Sequence, residues 1–296
     1  MNVAKRIFIG PDGKLRSIWR AVLFVAASIA VQTWCLDWSF VRVGQWLRVP
    51  PTLSPAALSL AESENFLTAL IITGTFALYE RRRVDSYGLP TNSALSRQTL
   101  EGVVAGVLMA GAVAAGMILL GGMHIQGLAL TGGVLVGYAL AWLGTNICVG
   151  IAEEFWFRSY FQQTLWRAIG FWPSAIVIAL IFAAIHYFLK RGENVWDVIT
   201  LVSLSLLLSY SMLRTGTLWF AVGFHIAFDY MQLFVIGTPN GTNIPVGRLL
   251  DVRFTGPAWL TGGVLGTEAS FLMYPVIALL WLYVWWRYRD NAALKV

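Results

Sequence analysis

Apolar residues in this chain neither alternate nor scatter. They arrive in long blocks separated by short polar or basic stretches. A block of about 20 apolar residues is the length a helix needs to cross a bilayer. Eight blocks meet or approach it, at 21–38, 66–78, 103–121, 128–150, 171–189, 198–213, 217–236 and 271–286. The second is short unless its helix begins near Leu60, which would put Glu62 and Glu64 close to its start. The fourth runs on, without a breaker, through Glu153, Glu154 and Arg158. Backbone polar groups inside lipid must be satisfied within the segment, so the pattern predicts an all-α, polytopic transmembrane helix bundle of about eight spans. In chain order we read a basic cytoplasmic N-terminus (1–20), N-terminal transmembrane helices (21–130), a core with the candidate chemistry (131–270), and a last transmembrane helix with a cytoplasmic tail (271–296). No small-x-small cleavage site precedes Trp34, so the first block reads as a retained span rather than a signal peptide.

Composition sharpens this reading. The chain is 57% apolar and only 12% charged, where soluble domains run near 25% charged. A soluble or disordered chain is excluded on that ground. The net charge is +6, yet the positive residues flank apolar blocks, where they set topology rather than bind nucleic acid. With eight alternating spans, 15 of the 21 lysines and arginines fall on the side of the two termini and 6 on the other. This bias predicts that both termini are cytoplasmic. Cys35 and Cys148 lie far apart in apolar surroundings and carry no disulfide or metal spacing.

Two long loops are expected on the other side. The stretch 39–59 contains Pro50, Pro51 and Pro55. The stretch 237–269 is rich in glycine and proline, and reads either as a plain connector or as a plug folding back over the helices. Gly106, Gly111, Gly116, Gly132, Gly133 and Gly137 are read as permitting close helix packing. Tryptophans at block ends, such as Trp38, Trp46, Trp166, Trp172, Trp259, Trp285 and Trp286, read as interfacial anchors.

Ionisable groups inside spans are costly, so they point to function. Three sets stand out: Glu153, Glu154 and Arg158; Phe182 and His186; His225 and Asp229. Glu154 and Arg158 are four apart on one helix face and are expected to pair, which makes their burial tolerable. Glu153 is turned about 100° away and is left for another partner. His225 and Asp229 share a face, and Phe182 lies one turn before His186. A carboxylate beside two imidazoles can hold a metal or act as general base on a water, and either scheme hydrolyses an amide. Ser159 as a nucleophile lacks a Gly-x-Ser-x-Gly elbow, and no His-Glu-x-x-His is present. His124 sits at a loop edge and is expected to have no role. On the residues alone, hydrolysis, a proton-coupled transport path and polar glue in a bundle all stay open.

The three sets resemble the motifs of the CPBP family of intramembrane proteases: Glu-Glu-x-x-x-Arg, Phe-x-x-x-His, and His-x-x-x-Asn or Asp. That family includes Rce1-like CAAX prenyl endopeptidases and bacterial abortive-infection or bacteriocin-immunity proteins. The segment Gly256-Pro257 and Trp259-Leu260-Thr261-Gly262-Gly263 with Glu268 is similar to one common in bacterial members. Asp229 stands where the eukaryotic prenyl endopeptidases carry Asn. The resemblance implies an eight-helix fold with a conical cavity and an endopeptidase acting on membrane-associated proteins or peptides, in a bacterial inner membrane. It implies Glu153 as the base on water, His186 as its assistant, and His225 and Asp229 as binders of the oxyanion or the peptide. Glu154, Arg158 and Phe182 would support them. The cofactor is either none or one divalent metal, zinc, held by Glu153, His186 and His225. The alternatives are a non-catalytic membrane scaffold or immunity protein, or a proton-coupled transporter. Membrane lipids and a membrane-anchored substrate are the expected partners, and nucleic acid is not.

Overall fold

The computed structural model describes residues 7–295. Lys5, Arg6 and Val296, which entered the topology reading, lie outside the described residues. Helix α1 is Ser17–Trp46, interrupted by a π-helical stretch at Gln32–Leu36. Then come α2 (Pro55–Glu80), α3 (Arg97–Leu119), β1 (Met123–Leu128) and α4 (Gly132–Arg158). They are followed by α5 (Tyr160–Ile169), α6 (Phe171–Leu189) and α7 (Val195–Thr215). Next are α8 (Trp219–Ile236), whose last seven residues are π-helical, β2 (Leu250–Phe254), the short α9 (Ala258–Thr261) and α10 (Met273–Tyr288).

The chain is a polytopic membrane helix bundle. Among the described residues, seven helices are long and apolar enough to cross a membrane. Helix α2 has the length, at 26 residues, but its first half carries Glu62, Glu64 and Asn65, which dilute its apolar content. The expected block 66–78 is therefore the inner part of a longer, more polar helix.

Side-chain contacts sort the helix ends into two faces. At one face Glu80, ending α2, accepts from Arg20 of α1, Arg167 and Tyr160 of α5, and Tyr87. There too the Leu218 amide donates to the Gly88 carbonyl and the Leu294 amide to the Leu213 carbonyl. At the other face β1 and β2 pair antiparallel, the Val246 amide donates to the Leu53 carbonyl, and Lys190 meets Glu268. The ends of the described chain thus share a face, as an even number of crossings requires.

The two long loops differ from expectation. Residues 39–46 continue α1, because Phe40, Val41 and Val43 keep the segment apolar enough to stay helical. Only 47–54 is loop. The stretch 237–269 is ordered: it supplies β2, which pairs with β1 beyond the end of α3, and then folds back through α9 and a 3-10 turn at Gly263–Ala269. The alternation in Asp251-Val252-Arg253-Phe254 is the signal for that strand.

Helix α8 is set deep by small residues. A Cβ on Gly102 would lie 2.1 Å from the Phe220 carbonyl oxygen, and one on Gly106 would lie 2.5 Å from that of Phe224. The pair forms a Gly-x-x-x-Gly seam on α3, the spacing that lets two helix backbones touch. Gly150 of α4 gives the same closeness to Ile226. Of the other glycines expected to do this, Gly111, Gly132, Gly133 and Gly137 face open space, and Gly116 meets the Leu272 side chain. Trp38, Trp46, Trp172, Trp259, Trp285 and Trp286 are exposed, as interfacial anchors are.

Topology is tested directly. Reporter fusions at the C-terminal end and within 237–269 should report opposite sides of the membrane, with the C-terminal one cytoplasmic. The same side for both would refute the arrangement.

Candidate functional site

Helix α4 enters the bundle as an apolar rod and ends on its polar run, Glu153-Glu154-Phe155-Trp156-Phe157-Arg158. The helix breaks at Ser159, whose ψ is −110°. The Ser159 hydroxyl donates to the Phe155 carbonyl, so it is committed to the backbone. The amphipathic α5 lies between α4 and α6 and packs beside α1, so the return path is not a simple hairpin turn at Gly170.

Arg158 and Glu154 are 1% and 0% exposed. Arg158 Nη1 donates to Glu154 Oε1 at 2.8 Å, and Nη2 donates to the Ser205 hydroxyl of α7 at 2.8 Å and to its carbonyl at 3.3 Å. The guanidinium also sits 5.8 Å from the Phe182 ring centre. One cation thus ties α4, α6 and α7 together. A buried charge is tolerable only with such partners.

The same Glu154 oxygen lies 3.0 Å from His225 Nδ1. A carboxylate accepts only, so Nδ1 carries a proton and donates it. His225 is thereby held in one orientation, with Nε2 turned to the other side. Nε2 lies 3.6 Å from Glu153 Oε2 and 3.5 Å from Asp229 Oδ2. Glu153 Oε2 is buried and has no hydrogen-bond partner among the described residues. Buried polar atoms are nearly always satisfied, so this oxygen needs an explanation.

The phenylalanine of the second set does what its spacing promised. The Phe182 and His186 rings lie 4.4 Å apart, and Phe157 packs edge-on against Phe182 at 5.0 Å. His186 Nδ1 donates to the Phe182 carbonyl at 2.9 Å, which leaves its Nε2 as the free nitrogen. The charged neighbours of His186 are Lys190, Glu268 and Glu193. It therefore borders a second cluster, whereas Glu153, Glu154, Arg158, His225 and Asp229 form the first.

That second cluster was not foreseen as a unit. Lys190 Nζ is 2.9 Å from Glu268, 3.5 Å from Glu193 and 3.8 Å from Asp197. Burial alone would lower the Lys190 ammonium pKa. Glu268, Asp197 and Glu193 outweigh burial and hold it above the usual lysine value, so the ion pair to Glu268 persists across physiological pH. The charge of Glu268 reaches both His186 and His225, which makes the Gly-rich return segment a neighbour of the site. Glu62 of α2 is a further addition. It is buried, bound by Asn65 at 3.2 Å, and its charge acts on Glu153 and Asp229. Its signal was an acidic residue close to an apolar block. Ser205 had no such signal.

His124 lies on β1, bound to the Gly121 carbonyl and the Thr255 hydroxyl, far in the fold from these clusters. Among the described residues no group of three His, Cys, Asp or Glu side chains is disposed to hold a metal ion.

The pairing geometry fixes a stability outcome. Arg158→Ala leaves Glu154 as an uncompensated buried charge and should cost about 3–5 kcal/mol. Thermal unfolding of the detergent-solubilised protein should show it as a large drop in folded yield. Arg158→Lys keeps the charge but not the fork to Ser205, and should fall between. An Arg158→Ala protein as stable as the wild type would refute the assignment.

No curated protein matches the chain. Residues 135–231 match the family model described as type II CAAX prenyl endopeptidase Rce1-like. The matched stretch runs from the start of α4 into α8 and contains Glu153, Glu154, Arg158, Phe182, His186, His225 and Asp229, so the segment similar to that family is the segment that builds the site.

Proposed function

We propose that the protein is an intramembrane endopeptidase that hydrolyses peptide bonds of membrane-associated proteins or peptides with a water activated by Glu153. One observation carries the reading. Of two adjacent glutamates, Glu154 accepts from both Arg158 and His225 through Oε1, only its Oε2 being unpartnered, while Glu153 has no hydrogen-bond partner among the described residues and places its buried Oε2 3.6 Å from His225 Nε2. A polar group left unpartnered gives no stability, so the bundle gains nothing from Glu153 as glue. The match of 135–231 to a prenyl endopeptidase family supports the same reading.

In this mechanism Glu153 takes a proton from water as the oxygen attacks the peptide carbonyl, and passes it to the leaving amine. His225, with its Nδ1 proton anchored on Glu154, presents Nε2 to the developing oxyanion once that nitrogen is protonated. Asp229 and Glu153 flank Nε2 at 3.5 and 3.6 Å. A preorganised donor of this kind acts where charge appears, in a site from which water is largely excluded. His186, with Nδ1 fixed on the Phe182 carbonyl, offers Nε2 as a second acceptor toward the substrate side. The other readings, a scaffold or a proton-coupled transporter, are outcomes of the same test.

Glu153→Gln should leave the amount of folded protein unchanged and lower cleavage on the order of 10²–10⁴-fold, the usual contribution of a general base. A membrane proteome comparison of wild type and Glu153→Gln should show uncut precursors only in the mutant. If no peptide changes and the mutant replaces the wild type in cells, the scaffold reading takes its place. Metal analysis provides a separate check. Pure active protein should retain activity after chelation and hold no stoichiometric metal, and loss of activity on chelation, restored by zinc, would overturn the metal-free mechanism.

A further inference from the structure

Where α2 leaves the apolar zone, three consecutive arginines end the helix: Arg81, Arg82 and Arg83. Beside them lies a cleft of about 650 Å³. Its floor is a helix face of Gly74, Ala77 and Leu78, and its mouth is formed by Arg82, Arg83 and Val84. Leu78 is 82% exposed, and a Cβ on Gly74 would meet nothing within 4 Å. The floor is therefore a shallow apolar track open to the bilayer, running up to cationic groups at its edge.

The two arginines differ. Arg83 is neutralised by Asp85, with forked contacts of 3.0 and 2.7 Å. Arg82 has no carboxylate partner among the described residues. Its guanidinium is held by stacking over the buried Tyr87 ring, 4.6 Å from the ring centre, and by a 3.5 Å contact to the Ser86 carbonyl. Tyr87 in turn is anchored by its hydroxyl on Glu80, the carboxylate that joins α1, α2 and α5. The guanidinium is thus preorganised at the membrane boundary with its charge uncompensated. A planar guanidinium is suited to a phosphate ester, and basic pockets beside membrane helices bind anionic headgroups.

From this combination we infer that the cleft at the end of α2 is a binding site for an anionic glycerophospholipid, its phosphodiester on Arg82 and one acyl chain along Gly74, Ala77 and Leu78. Asp85 faces the same cleft and offsets Arg83, so the site carries one effective positive charge. That matches a singly charged headgroup better than a multiply phosphorylated one. A lipid seated there packs against the Glu80 junction and braces α1 and α5 against α2. The inference is independent of any catalytic role for Glu153.

The test uses the full-length protein reconstituted in bilayer discs of equimolar dioleoyl phosphatidylglycerol and dioleoyl phosphatidylcholine, then extracted mildly, with retained lipids quantified. One uncompensated arginine at the surface should raise the retained phosphatidylglycerol-to-phosphatidylcholine ratio about five-fold over that of the bilayer. Arg82→Gln should return retained lipid to the bilayer ratio, Arg82→Lys should keep most of the enrichment, and Arg83→Gln combined with Asp85→Asn, which removes the ion pair without changing the net charge, should leave it unchanged. Gly74→Leu, which fills the acyl track, should reduce retained lipid of both kinds. The inference is overturned if wild type shows no enrichment or if a folded Arg82→Gln protein retains the wild-type ratio. Displacement of the lipid by soluble glycerol 3-phosphate would also overturn it, because the site would then bind a free anion without using the track.

Discussion

The buried pair of Glu154 and Arg158 is the constraint on which the rest of the architecture depends. Each charge would be prohibitive alone in an apolar bundle. Together they are tolerable because Ser205 of α7 and His225 of α8 add further bonds and Phe182 of α6 lies against the guanidinium. The cost of burying the pair thus becomes a reason for four helices to meet at one depth. An apolar substitute for the pair would remove that requirement, and with it the fixed place of His225.

Meeting at one depth also needs room. Ordinary side chains would hold α8 away from α3 and α4. Gly102 and Gly106 remove that spacing on one side and Gly150 on the other, so the backbone carrying His225 approaches closely enough for Nδ1 to reach Glu154. Lipid tails provide no hydrophobic drive between helices, so this close packing and the polar bonds it permits hold the centre. At the two faces ion clusters do the equivalent work: the arginines and tyrosines on Glu80 at one end, Lys190 among three carboxylates at the other.

Against that frame, the asymmetry between neighbouring glutamates carries the chemical meaning. One residue along a helix turns a side chain by about 100°, and this step separates a carboxylate with two hydrogen-bond partners from one with none among the described residues. The His225 ring lies between them, one nitrogen on each. The polar surroundings extend beyond the helices of the matched segment. Glu62 comes from α2, and Glu268 comes from the segment that folds back after β2, so charge at the centre is set by parts of the chain on both sides of 135–231.

Much of this was legible in the chain itself. Apolar block length sets the helices to within a few residues, because a bilayer demands about 20 residues and internal backbone bonding. Helical spacing alone pairs Glu154 with Arg158, turns Glu153 away, and stacks Phe182 on His186, because these are neighbours within one helix. Contacts between helices were not legible. Nothing in the spacing says that Ser205 caps Arg158, that His225 reaches Glu154 through Nδ1, that Glu62 joins the cluster, or that His186 borders Lys190 and Glu268. The helix at 39–46 and the strand pair of 123–128 with 250–254 were likewise missed, since short marginal segments take their form from what they pack against. A one-dimensional pattern fixes which residues share a face of a helix. Which faces meet, and at what depth, was decided by the glycine seam of α3 and α8 and by where a buried cation could find acceptors for both its terminal nitrogens.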